Sequence, residues 1–175
     1  MSSELSPSAE TEPSPDALCR ALAQRLLARH WRLACAESCT GGLVAAACTQ
    51  LAGSSDWFER GFVTYSNQAK TEMLGVDAGL IAAHGAVSEP VARAMAAGAE
   101  ARAHTQVALS VTGIAGPGGG SAAKPVGTVW FGWSVQGAVS SEQRRFDGDR
   151  AAVRAAAVQH ALARLLSLLP DDGRG

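Results

Sequence analysis

Residues 34–43 read Ala-Cys-Ala-Glu-Ser-Cys-Thr-Gly-Gly-Leu, and the predicted fold follows outward from them. The apolar run before them, residues 31–36, predicts a buried strand, and the uncharged, alanine-rich run after them, residues 43–51, predicts a buried helix. A strand-to-helix turn leaves the first backbone N–H groups of the helix free to hold an anion. The turn is therefore predicted either to bind a ligand or, if Ser38 or Thr40 is simply the helix N-cap, to be only structural.

The bulk composition limits the classes of function. The chain has 175 residues, which suits one domain. Its fifteen basic and sixteen acidic side chains nearly cancel, so no excess of positive charge indicates binding to nucleic acid or to an anionic membrane. Its four cysteines include no Cys-x-x-Cys, and its four histidines lack ligand spacing, so we expect free thiols and no metal. Without a signal-peptide pattern or a long apolar run, a cytoplasmic protein is expected.

Sequence patterns divide the chain into three segments. Residues 1–15 are rich in Ser, Pro and Glu and predict a disordered N-terminal tail. Residues 16–170 interleave helical and strand patterns, with Asp16 as the predicted first N-cap, and residues 171–175 form a C-terminal tail. This alternation predicts an α/β fold, a three-layer α/β/α sandwich on a mixed, mostly parallel sheet. The polar last strand, residues 139–146, is predicted to be antiparallel and near the edge.

Three predicted strands each end in a polar or glycine-rich segment, at residues 37–42, 65–70 and 112–121. Ligands of open α/β sheets bind beyond the carboxyl ends of the strands, so three neighbouring strands would converge on one cleft. The third segment can wrap an anion with its backbone N–H groups, or be only a flexible surface loop. It is neither a P-loop nor a dinucleotide-binding fingerprint.

Lys70 and Tyr65 belong to the second of these segments, where Asn67 is predicted to cap the helix that carries Lys70. An ordinary lysine, with a pKa of about 10.4, is neutral in only about one molecule in 2,500 at pH 7. To act as a base for Ser38, Lys70 therefore needs a lowered pKa. A desolvated cleft would lower the pKa of Lys70, and pairing with Glu37 would oppose this. The ordinary alternatives to such a catalytic role are a lysine on a solvated helix face and a tyrosine half-buried on a strand.

Several segments together resemble the CinA C-terminal domain family. They are residues 36–42 (Ala-Glu-Ser-Cys-Thr-Gly-Gly), 61–70 (Gly-Phe-Val-Thr-Tyr-Ser-Asn-Gln-Ala-Lys), 73–76 (Met-Leu-Gly-Val), 85–88 (Gly-Ala-Val-Ser) and 110–119 (Ser-Val-Thr-Gly-Ile-Ala-Gly-Pro-Gly-Gly). The resemblance covers residues 17–168 and implies a self-associating three-layer α/β/α domain. Many members carry a further N-terminal domain that resembles molybdopterin-binding proteins, so this chain looks like the stand-alone form. Characterised members convert nicotinamide mononucleotide to nicotinate mononucleotide and ammonia.

The resemblance implies roles for particular residues. Ser38 matches the nucleophile of the family, and Lys70 and Tyr65 match its activating partners. Cys39 is a rival nucleophile, although no histidine lies in these motifs to activate it. Backbone N–H groups at residues 39–41 are predicted to hold an oxyanion. The predicted substrate-binding residues are Glu37, Cys39, Thr40, Gly41, Gly42, Asn67, Thr112, Gly113, Gly116, Gly118 and Arg150, of which Arg150 could instead pair with a neighbouring carboxylate.

Two classes of function follow. The first is an amidohydrolase that acts on nicotinamide mononucleotide through Ser38, without a metal or cofactor. The second is a non-catalytic module that binds a nucleotide and regulates another protein in competence or DNA-damage responses. Both predict a small-molecule nucleotide as partner, no nucleic acid, no membrane and a homo-oligomer of unknown size.

Overall fold

The computed structural model describes residues 11–171, so most of the predicted N-terminal tail and nearly all of the C-terminal tail lie outside the described residues. The described part folds as six helices, five strands and one 3-10 turn, Ser54–Asp56. The helices are α1 (Pro15–Ala28), α2 (Leu43–Thr49), α3 (Asn67–Leu74), α4 (Ala78–His84), α5 (Glu89–Ala103) and α6 (Arg150–Leu168). The strands are β1 (Leu33–Glu37), β2 (Phe58–Val63), β3 (Val107–Gly113), β4 (Thr128–Val135) and β5 (Ala138–Arg145).

All five strands form one mixed sheet in the order β2-β1-β3-β4-β5. β1 runs parallel to both of its neighbours, β2 and β3, whereas β3, β4 and β5 pair antiparallel. The predicted antiparallel edge position of the last strand is confirmed. The carboxyl ends of β1, β2 and β3 lie side by side, as the predicted cleft requires.

Helices cover both faces of this sheet and confirm the predicted three-layer α/β/α sandwich. α1, α2 and α6 pack on one face, and α3, α4 and α5 on the other. Alternate residues of β1 face opposite cores, because side chains of a strand alternate between the two faces. Leu33 and Cys35 pack under α1 and α6, whereas Ala34 and Ala36 pack toward α5.

The face toward α5 is lined by small residues, which let the helix approach the sheet closely. The Ser110 hydroxyl donates a hydrogen bond of 2.6 Å to the carbonyl of Ala92 in α5. A Cβ atom at Gly132, on the neighbouring strand β4, would overlap that same carbonyl oxygen. Gly132 is therefore required here for close packing.

Two predicted details are wrong. The N-cap of α1 is Ser14, whose hydroxyl accepts a hydrogen bond from the Ala17 N–H, and not Asp16, which pairs with Arg20 at 2.9 Å. Ser14 is favoured because Pro15 then stands at the first helical position, where its missing N–H is harmless. α2 is only partly buried: Val44 and Cys48 lie in the core, and its other face is exposed or half-buried.

The four cysteines are buried free thiols. Across residues 11–171, every helix is too short or too polar to cross a bilayer.

Replacing Gly132 by alanine is expected to destabilise the fold. The added methyl group must displace the backbone of α5 or the Ser110 hydroxyl, and overpacking of this kind costs about 1–3 kcal/mol. The free energy of unfolding, measured by urea denaturation, should fall by that amount. Gly118→Ala is the matched control, because a Cβ atom at Gly118 meets nothing within 4 Å. Equal stabilities of the two variants would contradict the close packing of α5.

Candidate active site

Ser38 and Lys70 meet at the carboxyl edge of the sheet. The Lys70 ammonium donates hydrogen bonds to Ser38 Oγ, at 3.0 Å, and to the carbonyl oxygen of Thr64, at 2.8 Å. Lys70 is 1% exposed and Ser38 is 9% exposed. When the amine loses a proton, it can accept the Ser38 hydrogen across the same distance, which is the geometry that a serine nucleophile and its base require.

The parallel strands hold Ser38 in place. Its N–H donates to the carbonyl of Val111 on β3, at 2.9 Å, and the preceding carbonyl, of Glu37, accepts the N–H of Thr64 at 2.8 Å. Ser38 is thus fixed between the ends of β2 and β3. Lys70 reaches it from the first turn of α3, whose N-cap is Ser66 rather than the predicted Asn67.

Burial lowers the pKa of the Lys70 amine, because removal of water disfavours the charged form. A carboxylate at hydrogen-bonding distance would oppose this, but no ion pair in residues 11–171 includes Lys70. The sequence left open whether Glu37 pairs with Lys70, and the described structure has no such pair. A negative charge on Cys39 would also raise the pKa of Lys70.

Cys39 is poorly suited to be the nucleophile. Its side chain is 6% exposed, and burial raises the pKa of the thiol to about 11. At neutral pH the group is a thiol and not a thiolate, which is the reactive form of cysteine. The charge that would hold Lys70 in its protonated form is therefore absent as well.

Glu37 is completely buried and supports the turn from below. Its carboxylate accepts hydrogen bonds from the N–H groups of Val44, at 2.8 Å, and Ala45, at 3.2 Å, in the first turn of α2. The Cys35 thiol donates to it at 3.7 Å. The sequence left open whether these helix N–H groups bind a ligand or are only capped, and in the structure they are capped by this carboxylate. The Glu37 side chain is thus placed to fix the turn rather than to contact a substrate.

Two backbone N–H groups in the turn after Ser38 have no partner in another described residue. The Gly41 N–H donates to the carbonyl of Ser38 at 3.1 Å, whereas the N–H groups of Cys39 and Thr40 donate to no other residue in the described range. Gly41 and Gly42 both have positive φ, +55° and +107°, so glycine is needed there for the backbone conformation itself. The Thr40 hydroxyl is buried and has no hydrogen-bond partner within residues 11–171.

Tyr65 and Arg150 form the rim above this turn. Tyr65 is 63% exposed, and its hydroxyl accepts a hydrogen bond from Arg150 at 3.0 Å. Arg150 also donates to the carbonyl of Gly116 in the glycine-rich loop, at 2.9 Å. The side chain of Arg150 therefore links the segments that follow β2 and β3. The Tyr65 hydroxyl makes no hydrogen bond with Ser38 or Lys70 in the part of the chain described here.

The other predicted site residues lie in different surroundings, some within the sheet and some on the surface. The Thr112 hydroxyl is buried and donates to the carbonyl of Ala86, at 2.9 Å, which ties β3 to the turn before α5. Gly113 pairs with Val129 in the sheet, and Gly118 lies open on the loop. Asn67 lines a groove between α3 and α4 together with Gln68, Thr71, Ala78, Ile81 and Ala82.

Arg154 was not predicted as a site residue, and it contacts the turn that follows Ser38 directly. Its Nε donates to the carbonyl of Cys39 at 3.1 Å, and its Nη2 donates to that of Thr40 at 3.4 Å. It lies one helical turn after Arg150, and this spacing was the available signal, since residues four apart share a helix face. A cavity of about 650 Å³ next to it is lined by Ala115, Pro117, Val126, Gly148, Asp149, Arg150, Ala151 and Arg154.

Comparisons with known proteins agree on one family. The model of the CinA C-terminal domain matches residues 16–169. The nicotinamide-nucleotide amidohydrolase PncC of Enterobacter agglomerans is 56% identical over 138 residues, which cover 78% of this chain and 84% of that protein. The enzyme of the same name from Escherichia coli K12 is 54% identical over 143 residues, or 81% of this chain and 87% of that protein.

Longer relatives and solved structures match as well. A CinA-like protein of Syntrophobacter fumaroxidans is 53% identical over 153 residues, which cover 87% of this chain but only 36% of the relative's length. The crystal structure of a competence-damaged protein (CinA) superfamily member from Escherichia coli superposes with a TM-score of 0.87 at 42% identity. That match covers 95% of this chain and 96% of the other.

Replacing Glu37 by alanine is expected to lower the free energy of unfolding by about 2–4 kcal/mol, because the N–H groups of Val44 and Ala45 lose their acceptor. Glu37→Gln keeps one acceptor oxygen and should lose less. Urea denaturation measures both. Glu72→Ala, which removes an exposed carboxylate from α3, is the control and should change stability by less than about 0.5 kcal/mol. A Glu37→Ala variant as stable as the control would refute this supporting role.

Proposed function

Because the chain belongs to the CinA C-terminal domain family, we propose that it is a nicotinamide-nucleotide amidohydrolase that converts nicotinamide mononucleotide and water to nicotinate mononucleotide and ammonia. The observation that carries this proposal is the contact of 3.0 Å between Lys70 Nζ and Ser38 Oγ. It occurs in a chain 54–56% identical to enzymes that bear that name. A buried serine and a buried amine are suited to acyl transfer, the chemistry that opening a carboxamide requires.

In the first half of the reaction, neutral Lys70 takes the proton of Ser38 as Oγ attacks the carboxamide carbon. The C–N bond then breaks, and the proton on Lys70 passes to the departing nitrogen, which leaves as ammonia. In the second half, Lys70 takes a proton from water, and the resulting hydroxide attacks the ester carbon. The proton on Lys70 returns to Ser38 Oγ, and the product leaves as nicotinate after its acid proton passes to water or to the released ammonia. No step uses a metal ion or a cofactor.

The negative charge that develops on the carbonyl oxygen needs donors. The N–H groups of Cys39 and Thr40, which have no partner elsewhere in residues 11–171, are the groups that we assign to it. Each well-placed donor of this kind contributes about 3 kcal/mol to the transition state. The Thr40 hydroxyl is a buried polar group without a partner among residues 11–171, and a bound substrate would supply one.

We assign Tyr65 and Arg150 to the substrate rather than to the proton path. Their hydroxyl and guanidinium already bond to each other, and Arg150 also bonds to the loop that follows β3. A nucleotide phosphate offers Arg150 a stronger, charged acceptor than the neutral tyrosine hydroxyl. The glycine-rich loop that contains Gly116 and Gly118 would form the adjoining wall. A relay of protons through Tyr65, the other role implied by the family, would require its hydroxyl to reach Ser38 or Lys70, to neither of which it is hydrogen-bonded in residues 11–171.

For the protein as a whole, we propose one catalytic domain over residues 16–170, which acts in the cytoplasm and self-associates. The small-molecule nucleotide is its only proposed ligand.

Ammonia release from nicotinamide mononucleotide tests the function. The parent should turn over, whereas Ser38→Ala and Lys70→Met should lose more than about 1,000-fold in kcat, since each removes a member of one reacting pair. Cys39→Ala should stay within about threefold of the parent. Ser167→Ala, at the far end of α6, is the control. A parent that is stabilised by the nucleotide in a melting assay but releases no ammonia would favour the regulatory module instead.

The pH dependence tests the role of Lys70 as base. Only the neutral amine can take the proton, so kcat/KM should rise with pH and level off above a midpoint below the ordinary lysine value of about 10.4. Since the folded pKa is the lower one, the unfolded chain binds more protons between the two values, and stability should also rise with pH through that window. In Lys70→Met the free energy of unfolding, measured by urea denaturation at several pH values, should lose this rise with pH. The control Lys124→Met should keep it. An unchanged rise in Lys70→Met would contradict the assignment.

A further inference from the structure

Arg154 makes no contact with the proposed reacting atoms, yet its guanidinium bonds to the turn that carries them. Its two hydrogen bonds go to consecutive carbonyl oxygens, those of Cys39 at 3.1 Å and Thr40 at 3.4 Å. The partners are 115 and 114 positions away in the sequence, so α6 reaches across the fold to hold this turn. In residues 11–171 no ion pair includes Arg154, and its charge is directed at the turn alone.

The direction of a carbonyl fixes the direction of the next N–H. A peptide group is planar and trans, so the C=O of one residue and the N–H of the following residue point opposite ways. The Cys39 carbonyl points at Arg154, and the Thr40 N–H therefore points away from it. The Thr40 carbonyl likewise points at Arg154, and the Gly41 N–H points back to the carbonyl of Ser38.

A charged donor that bonds to the carbonyl of a peptide group also makes the N–H of that peptide group a stronger hydrogen-bond donor. Hydrogen bonds in a chain polarise one another, so a guanidinium on the Cys39 oxygen makes the Thr40 N–H a better donor. Two glycines, Gly41 and Gly42, follow Thr40, and glycine restrains the backbone less than any other residue. Gly41 has φ of +55°, and its ideal Cβ position lies 3.4 Å from Arg154 Nη2, so the guanidinium packs directly on the most mobile residue type in the turn.

We infer that Arg154 is a positioning residue, which orients and polarises the Cys39–Thr40 peptide so that the Thr40 N–H can stabilise the oxyanion that forms on the substrate's carbonyl oxygen when Ser38 attacks. This inference rests on the proposed nucleophile, Ser38, and extends the proposed function. It differs from a substrate-binding role, in which Arg154 would contact the phosphate through the adjoining cavity. A positioning residue acts on kcat, whereas a residue that contacts the substrate equally in ground and transition states acts on KM.

The first experiment compares Arg154→Ala and Arg154→Lys in ammonia release from nicotinamide mononucleotide. Loss of one oxyanion donor costs about 100- to 1,000-fold, and a misoriented donor should cost part of this, about 10- to 100-fold in kcat. KM should stay within about twofold. Arg154→Lys should recover only part of kcat, because an ammonium keeps the charge but lacks the fork that reaches two carbonyls. Arg164→Ala removes an arginine from the same helix and should match the parent.

The second experiment is independent of the substrate. A fluorophosphonate phosphorylates a serine as Oγ bonds to phosphorus, fluoride leaves and the base takes the proton, and the phosphoryl oxygen occupies the oxyanion position. The rate of labelling at Ser38 should fall in Arg154→Ala in parallel with kcat. Melting temperatures identify any variant that has lost its fold. If Arg154→Ala is unfolded, the labelling rate and kcat of Arg154→Lys are compared with those of the parent instead.

Each outcome decides the inference. A raised KM with unchanged kcat, or labelling as fast as in the parent, overturns it. If the parent releases no ammonia but is labelled at Ser38, the proposed substrate is wrong and the labelling rates alone decide the role of Arg154. If the parent is not labelled at Ser38, the inference fails together with the nucleophile.

Discussion

The site depends on the burial of one amine without a carboxylate beside it. Removing an ammonium from water costs several kcal/mol, and a neighbouring Asp or Glu would compensate by holding the charge in place. Here the Lys70 amine meets a carbonyl oxygen and a serine hydroxyl instead, both of which tolerate a neutral amine. The cost of burial therefore appears as a lowered pKa, which makes the amine available as a base. The carboxylate nearest in sequence to Ser38, that of Glu37, is bonded to α2.

This arrangement assigns separate tasks to the layers of the sandwich. The parallel strands fix the position of Ser38, because its N–H donates to the Val111 carbonyl of β3 and the Glu37 carbonyl accepts the N–H of Thr64, the residue after β2. α3 supplies the amine from one face of the sheet, and α6 supplies two arginines from the other. Glu37 and Arg154 then hold the same turn from two directions, one through the N–H groups that follow it and one through its carbonyls. A turn rich in glycine is thereby kept in one conformation.

The sequence predicted the fold and the convergence of the three strand-end segments because both follow from topology, whereas the contact of Ser38 with Lys70 was implied by the family resemblance and a solvated lysine was the open alternative. Residues at the ends of adjacent parallel strands must converge, whatever their side chains do. The role of Glu37 depends on which face of the strand it occupies. Cys35 and Glu37 are two residues apart and share the face toward α2, and this alternation was the usable signal. The spacing of four residues from Arg150 places Arg154 on the same helix face, but the hydrogen-bond partners of Arg154 and Tyr65 could not be predicted, because long side chains find their partners only in the assembled tertiary structure.

The contact between Arg154 and the Ser38 turn has a consequence for the order of events during synthesis. β1 and its turn leave the ribosome early, but the carbonyl of Val111 and the guanidinium of Arg154 follow much later, the latter 115 positions after Cys39. Contacts between distant parts of a chain form late in folding, since closing a long loop costs entropy before it is rewarded. A nascent chain can thus expose Ser38 and Cys39 without possessing the assembled site. The contacts around Ser38 are therefore complete only after the chain has been translated through α6 and α6 has packed against the turn.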